Sequence, residues 1–424
     1  MPIWAPSRKS IIIWSVALFL VGVGLRLALL LLVNQAQELS RAEPVNIAIS
    51  LATTGKYADA YGPGVGQTAH CAPFHPLLLS VLLRTFGINA HGELAMDVAA
   101  SMASALAFAL LPALAVVNGF PLVCGVLAGA AGAVLPFNFW PQTSGSFDAP
   151  FTAAALASLC ILICCIRARG RFTKRSGAVL GIAVGLGCLL SPTMLPVIVG
   201  WMIVAVVERR RQLPRMIIFC GVSAACFMAT LAPWAIRNYE ALGSPIWTRS
   251  NFWLEMQVSN NDLMTADEER NVRMPEFALL HPYASAAERA KVKRLGEVAY
   301  MRTKRQEVLA WIATHKRRFV ELTAEHFRLF WIPRMNRPLQ TILEAALTIL
   351  GLSGLVLLFR SRAASAWIFG VLVVLYPAVY YLIQVTPRYR LPLEPFLFLL
   401  AAYCLWRLTA TISARRRMKT HTDT

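Results

Sequence analysis

Between residues 11 and 33 the chain carries a single charge, Arg26, in twenty-three otherwise uncharged and mostly apolar positions, and that run limits the fold more than any other feature. It is about the ~20 residues that a helix needs to cross a bilayer core. In lipid the backbone polar groups must be satisfied within the spanning structure, which only helices and closed barrels achieve; this run is too long and too uniformly apolar for a barrel strand. Similar runs recur along a chain that is 57% apolar. The predicted fold class is therefore an all-α polytopic membrane protein. The first run exceeds a signal-peptide core, and no small-residue cleavage site follows it in 35–42, so it reads as a retained anchor.

A net charge of +19 raises the question of nucleic acid, but its distribution answers it. The basic residues gather in 167–175, 209–215 and 415–419, each abutting an apolar run, which is the pattern that orients short cytoplasmic loops. No nucleic-acid partner is expected. With Arg8 and Lys9 inside, about ten spans satisfy every cluster and leave both termini cytoplasmic: 11–33, 94–116, 125–136 with its flanks, 151–166, 177–191, 192–207, 216–234, 339–359, 365–383 and 391–409. The stretch 77–86 is too short to cross and reads as an interfacial helix on the outer surface.

Three parts follow: 1–234, a transmembrane module with a first outer loop at 34–93; 235–338, a large and partly helical outer loop; and 339–424, a second transmembrane module with a basic cytoplasmic tail. The large loop carries seventeen Lys and Arg against twelve Asp and Glu, and long loops are exempt from the charge rule. Its first part, 244–282, is Asn-rich and without periodicity. Beyond it, Ser285 and Glu288 have capping-box spacing, and Leu295, Val298, Met301, Val308 and Ile312 recur at helical intervals.

Absences narrow the chemistry. There is no Asp-x-Asp and no Walker-type Gly-Lys-Ser/Thr, and the run Gly62 to Gly66 lacks the strand and helix that a phosphate cradle needs, so it reads as a flexible loop. Eight of nine cysteines lie in apolar runs, which leaves Cys71 alone in an outer loop without an evident partner. Arg26 either snorkels to the interface or faces the bundle. Glu43, just past the first span and just before Pro44, is the prominent acid on the outer side. It either serves a site or sits at a helix start facing the dipole.

At this point the residues resemble a known family. Arg41-Ala42-Glu43-Pro44-Val45-Asn46-Ile47-Ala48 through Gly55, then Ala72-Pro73-Phe74-His75-Pro76 and Phe86-Gly87, resemble the first outer loop of the glycosyltransferase C superfamily. They are most similar to the branch of protein mannosyltransferases and aminoarabinose lipid A transferases. Asp148-Ala149-Pro150, Pro233-Trp234-Ala235-Ile236-Arg237-Asn238 and Arg388-Tyr389-Arg390-Leu391-Pro392 extend the resemblance over nearly the whole chain.

The resemblance implies a GT-C-type helical bundle in a bacterial inner membrane, its active site facing the periplasm. It also implies a polyprenyl-phosphate sugar donor among the membrane lipids, and inverting transfer to an envelope glycolipid, polysaccharide or protein. A glycosidase needs two carboxyl groups because its leaving group must be protonated, whereas a phosphate departs as a stable anion, so one base and a cationic clamp suffice. Glu43 is the implied base. Arg388 and Arg390 are the implied phosphate clamp, or else anchors for lipid headgroups. Arg237 is a further phosphate ligand or an interfacial anchor. Asp148 is an N-cap before Pro150 or a second acid of the site, with or without a divalent metal. Asp59, His70, His75 and Tyr389 are acceptor or loop contacts. The family's adjacent Asp-Glu pair is absent here, so Glu38 and Asp59 stand in reserve as the base. Two other readings stay open: a non-catalytic relative that binds a lipid-linked sugar, and a lipid or polysaccharide transporter, which would need a polar path through the spans.

Overall fold

A computed structural model describes residues 6–33, 38–135, 139–334 and 338–422 of the chain. Among the described residues the regular structure is helical, with two isolated β-bridges and no strand. Helix α1 (Arg8–Val33) is followed by a first loop holding α2 (Glu43–Thr54) and α3 (Phe74–Phe86). Next come α4 (Ala90–Ala109), α5 (Leu111–Val117), α6 (Leu122–Val134), α7 (Phe139–Thr143), α8 (Ala149–Ala168), α9 (Lys174–Leu190), α10 (Leu195–Glu208) and α11 (Leu213–Leu242). The long loop holds α12 (Phe252–Ser259), α13 (Glu268–Asn271), α14 (Phe277–Leu280), α15 (Ala286–Leu295), α16 (Glu297–Thr314) and α17 (Lys316–Trp331). Finally, α18 (Pro338–Arg360), α19 (Ala366–Leu375) and α20 (Glu394–Thr422) close the bundle.

Each apolar stretch picked out in the sequence is mostly helical where it is described, with breaks at Leu110 and Tyr376; the end of 125–136 lies outside the described residues. Among the described residues six helices are long and apolar enough to cross a membrane: Arg8–Leu32, Ala90–Val117, Ala149–Ala168, Arg210–Leu242, Pro338–Arg360 and Pro387–Ile412. Shorter apolar helices fill in between them, α3 included, and the protein is an all-α polytopic membrane protein. Proline sets several boundaries. Pro377, which has no N–H to continue the ladder, turns the end of α19 into a 3₁₀ segment, Pro377–Tyr381.

Small residues let the helices approach, as they must where lipid offers no hydrophobic drive to association. Gly177, Gly181 and Gly185 of α9 face α11, and Gly351 and Gly354 of α18 face Leu397 and Leu400 of α20. A Cβ at Gly354 would stand 2.0 Å from the Leu400 carbonyl oxygen. Arg26 faces the bundle. Buried, it donates to the carbonyls of Gly22 and Gly132 and to Gln142, tying α1 to the α6–α7 region.

The long loop is more ordered than its sequence suggests. Ser285 does cap α15, accepting from the Glu288 amide at 3.2 Å, but the Glu288 carboxylate turns away to Tyr300 and Lys304. The Asn-rich 244–282 stretch, expected to be irregular, folds α12, α13 and α14 against the rest. Asparagine side chains replace periodic packing there: Asn260 donates to the Leu382 carbonyl and Asn271 to Gln384.

Overpacking a fixed contact costs about 1–3 kcal/mol. Gly354→Val therefore lowers the thermal unfolding midpoint of the detergent-solubilised protein by several degrees, whereas Gly24→Val, with nothing within 4 Å, leaves it unchanged.

Candidate active site

Helix α2 opens on Glu43, with Pro44 in its first turn and Gly55 closing it in the left-handed conformation (φ 71°). Its buried face, Val45 and Ala48 among others, packs on Leu79 and Leu83 of α3 and Met96 of α4. Ala42, at the cap position, provides no side-chain cap, so the carboxylate of Glu43 is the first polar side chain at this helix end. It points into a cavity of about 620 Å³, solvent at the mouth included, which is lined also by His70, Cys71, His75, Asp148, Arg249, Glu255, Arg388 and Tyr389.

Three loops meet there because buried polar groups pin them together. The first loop meets the long loop where the Ser250 amide donates to the Ala69 carbonyl at 2.9 Å and Glu297 accepts from the Ala69 amide and the Ser250 hydroxyl. That clasp carries the neighbours of Ser250, Arg249 and Asn251, to the cavity wall. The last loop meets the long loop along Val385: its amide donates to Ala266 at 2.8 Å and its carbonyl accepts from the Glu268 amide at 3.1 Å. The connection before α8 lies tightly on α4, where the Gly145 amide donates to Asp97 and its carbonyl accepts from His75 Nε2 at 3.0 Å. Asp148 holds the N-cap position of α8 and makes no capping hydrogen bond, so its carboxylate is free to face the cavity.

Arg388 is the best-held cation of the site. Its guanidinium stacks on the Phe147 ring, 3.9 Å from the centroid, and pairs with Glu268 at 2.7 Å. Arg249 lines the same cavity without a hydrogen bond or ion pair among the described residues; burial disfavours its charge, and Asp148 and Glu255 nearby hold it. Glu43 is surrounded by protein at the cavity floor. Burial raises its carboxyl above the usual range; Arg388 opposes the shift and Glu268 adds to it. Burial, then Glu268 and Glu43, push Glu255 up to about 7 against Arg249 and Arg388.

Of the residues singled out in the sequence, Glu43, His70, His75, Asp148, Arg388 and Tyr389 come together. The others do not reach the cavity lining. Arg390 is almost wholly buried (1% exposed), pairs with Glu344 of α18 at 3.1 Å and donates to the Trp331 carbonyl. Arg237 ties the first loop to α11 through the carbonyls of Tyr57 and Thr68, both at 2.7 Å, and stacks on Tyr57 and Trp234. Asp59, itself at φ 66°, accepts from the Gly66 amide and closes a tight turn in which Gly62, Gly64 and Gly66 all have positive φ. This Gly-rich stretch, read as flexible, is thus a folded turn. Glu38 lies outside the cavity lining. Arg249, Asn251 and Glu255 were missed, since they sit where the sequence has no periodicity to orient a side chain. Among the described residues no group of three or more His, Cys, Asp or Glu is placed to hold a metal ion.

A carboxyl whose folded-state pKa is raised costs stability once ionised. For Glu255 that loss sets in as the pH rises from about 4.5, its ordinary value, to about 7 and is complete above. Thermal unfolding followed across this window will show a falling midpoint that Glu255→Gln flattens.

No protein-family model matches the sequence, and no curated protein does. Solved structures match in fold. The Archaeoglobus fulgidus oligosaccharyltransferase in its apo form superposes at a TM-score of 0.57 with 13% identity, over 98% of this chain and 52% of that one. The Archaeoglobus fulgidus oligosaccharyltransferase AglB, solved with an inhibitory peptide and a dolichol-phosphate, gives the same TM-score and identity over 96% and 52%. ArnT from Cupriavidus metallidurans, bound to undecaprenyl phosphate, is a looser match, at 0.40 and 13% over 95% and 79%. The chain spans about half the length of the archaeal enzymes. The chain shares the helical fold of those archaeal enzymes.

Proposed function

We propose that the protein is a membrane glycosyltransferase that moves a sugar from a polyprenyl-phosphate donor to an envelope glycolipid, polysaccharide or protein on the outer face of a bacterial inner membrane. The observation that carries this reading is the cavity itself: a carboxylate with no ion pair among the described residues, Glu43, shares it with two guanidinium groups, Arg388 and Arg249. The archaeal enzyme of the same fold that was solved with dolichol-phosphate supports the choice of donor.

The acceptor hydroxyl gives its proton to Glu43 as its oxygen attacks the anomeric carbon. The bond from that carbon to the phosphate oxygen breaks on the opposite face, inverting the configuration. Negative charge gathers on the departing lipid phosphate, where Arg388 and Arg249 receive it. Guanidinium suits this task because its fixed fork of donors matches phosphate oxygens. Arg388 is aimed in advance by Phe147 and Glu268, so little reorganisation is needed at the moment of transfer. Asp148, free of any cap role, is left to accept from sugar hydroxyls.

Three outcomes test the assignment. In cells lacking the protein, the wild type restores the envelope glycan while Glu43→Gln, at equal membrane level, transfers ~10²–10⁴-fold more slowly, the usual worth of a general base. Full restoration would show instead that Glu43 is not the base. Since Glu43 works ionised and its pKa is raised, the transfer rate of the wild type falls with decreasing pH at a point above the ~4.3 of a free glutamate. Third, Arg388→Ala and Arg249→Ala weaken binding of undecaprenyl phosphate to the purified protein, Arg249→Ala with little change in unfolding midpoint. Arg390→Ala does the reverse, since stripping a buried pair of one partner costs ~3–5 kcal/mol.

A further inference from the structure

A second cavity lies at the far end of the bundle. Helix α8 starts beside Asp148 at the catalytic cavity and runs twenty residues to Ala168. At 1.5 Å per residue that is roughly 30 Å, the thickness of a bilayer core, so its C-terminal end reaches the opposite headgroup layer. There four chain turns enclose about 1200 Å³, open solvent included: the α5–α6 turn at Asn118 and Gly119, the end of α8 at Arg167, the end of α10 at Glu208 and Arg209, and the α18–α19 turn at Ala364 and Ser365.

Its walls mix polar and apolar groups, Val117, Cys164 and Ala168 among the latter, and its surroundings are strongly cationic. Arg167 is fixed by Glu208 at 2.8 Å and by the Ala364 carbonyl at 2.8 Å. Arg209 lies over the Phe172 ring, 5.8 Å from its centroid, and has no hydrogen bond or ion pair from its side chain among the described residues. The segments 167–175, 208–215 and 360–362 carry eleven Lys and Arg against one acid, Glu208, which is already paired. Orientation in the membrane accounts for the positive charge; it does not account for a roomy hollow among the basic segments whose wall carries a guanidinium with no hydrogen bond or ion pair among the described residues.

The geometry points to a binding site for the phosphodiester headgroup of an anionic phospholipid, seated in this hollow on Arg209 with Arg167 behind it. A basic pocket between helices at the membrane surface attracts such lipids through charge and holds them through fit. The acyl chains would run along the apolar flanks of the neighbouring helices, where Val207 and Leu127 are exposed.

The test is native mass spectrometry of the full protein, delipidated and then offered phosphatidylglycerol, phosphatidylethanolamine or inorganic phosphate, with unfolding midpoints measured in parallel. Phosphatidylglycerol should be retained at least tenfold better than phosphatidylethanolamine and should raise the midpoint. Arg209→Gln should erase that preference, Arg169→Gln outside the hollow should keep it, and Ala364→Glu, which puts a negative charge on the exposed rim, should abolish it in a protein that still folds. Retention of phosphatidylglycerol unchanged by both Arg209→Gln and Ala364→Glu overturns the site. Stabilisation by inorganic phosphate alone, with no lipid retained, overturns the lipid and leaves a soluble phosphate as the ligand. None of these readouts depends on sugar transfer.

Discussion

The site rests on one buried ion pair, Arg390 with Glu344, deep between α18, the end of α17 and the start of α20. A charge so placed is tolerable only when its partner and nearby carbonyls satisfy it; here Glu344 and the Trp331 carbonyl do so. Because Arg390 is held, the 3₁₀ turn Pro387–Tyr389 that precedes it is held as well. Arg388 is thereby turned out of the core and over Phe147, toward the cavity that Glu43 opens into. Two arginines two residues apart thus do opposite jobs.

The cavity is built from parts that are individually unstable. Glu43 and Glu255 are acids that burial pushes toward the neutral form, and Arg249 is a buried cation whose charge is kept by acids such as Asp148 and Glu255. Such groups persist because loops clasped elsewhere leave them no alternative. Glu297 with Ser250 and Ala69 fixes one wall, and Val385 with Ala266 and Glu268 fixes another. The placement of these groups is therefore carried by hydrogen bonds that lie outside the cavity.

Much of the site was legible in the residues, though unevenly. Glu43, Asp148 and Arg388 could be picked out because each stands at a chain boundary: just after a span, just before a span, or in the turn that starts one. A boundary fixes the end of the bundle on which a side chain must lie, and that suffices to gather residues hundreds of positions apart. Arg390 and Arg237 stand at boundaries too, yet one turns inward and the other ties down a loop, and nothing in their spacing separates a clamp from a brace. Arg249 and Glu255 were invisible for the opposite reason, since they lie in an aperiodic stretch whose conformation is set by distant asparagine contacts.

By itself the amino-acid sequence determined the helical membrane fold and offered the acid and arginine candidates. Backbone hydrogen bonding in lipid leaves so few solutions that apolar length and flanking charge decide these matters locally. Only the tertiary structure decided which of those side chains share a cavity, which are buried as braces, and that the long loop supplies Arg249 and Glu255. Those outcomes depend on contacts between residues far apart in the chain, and on the rotation of each helix about its axis, which no local pattern records.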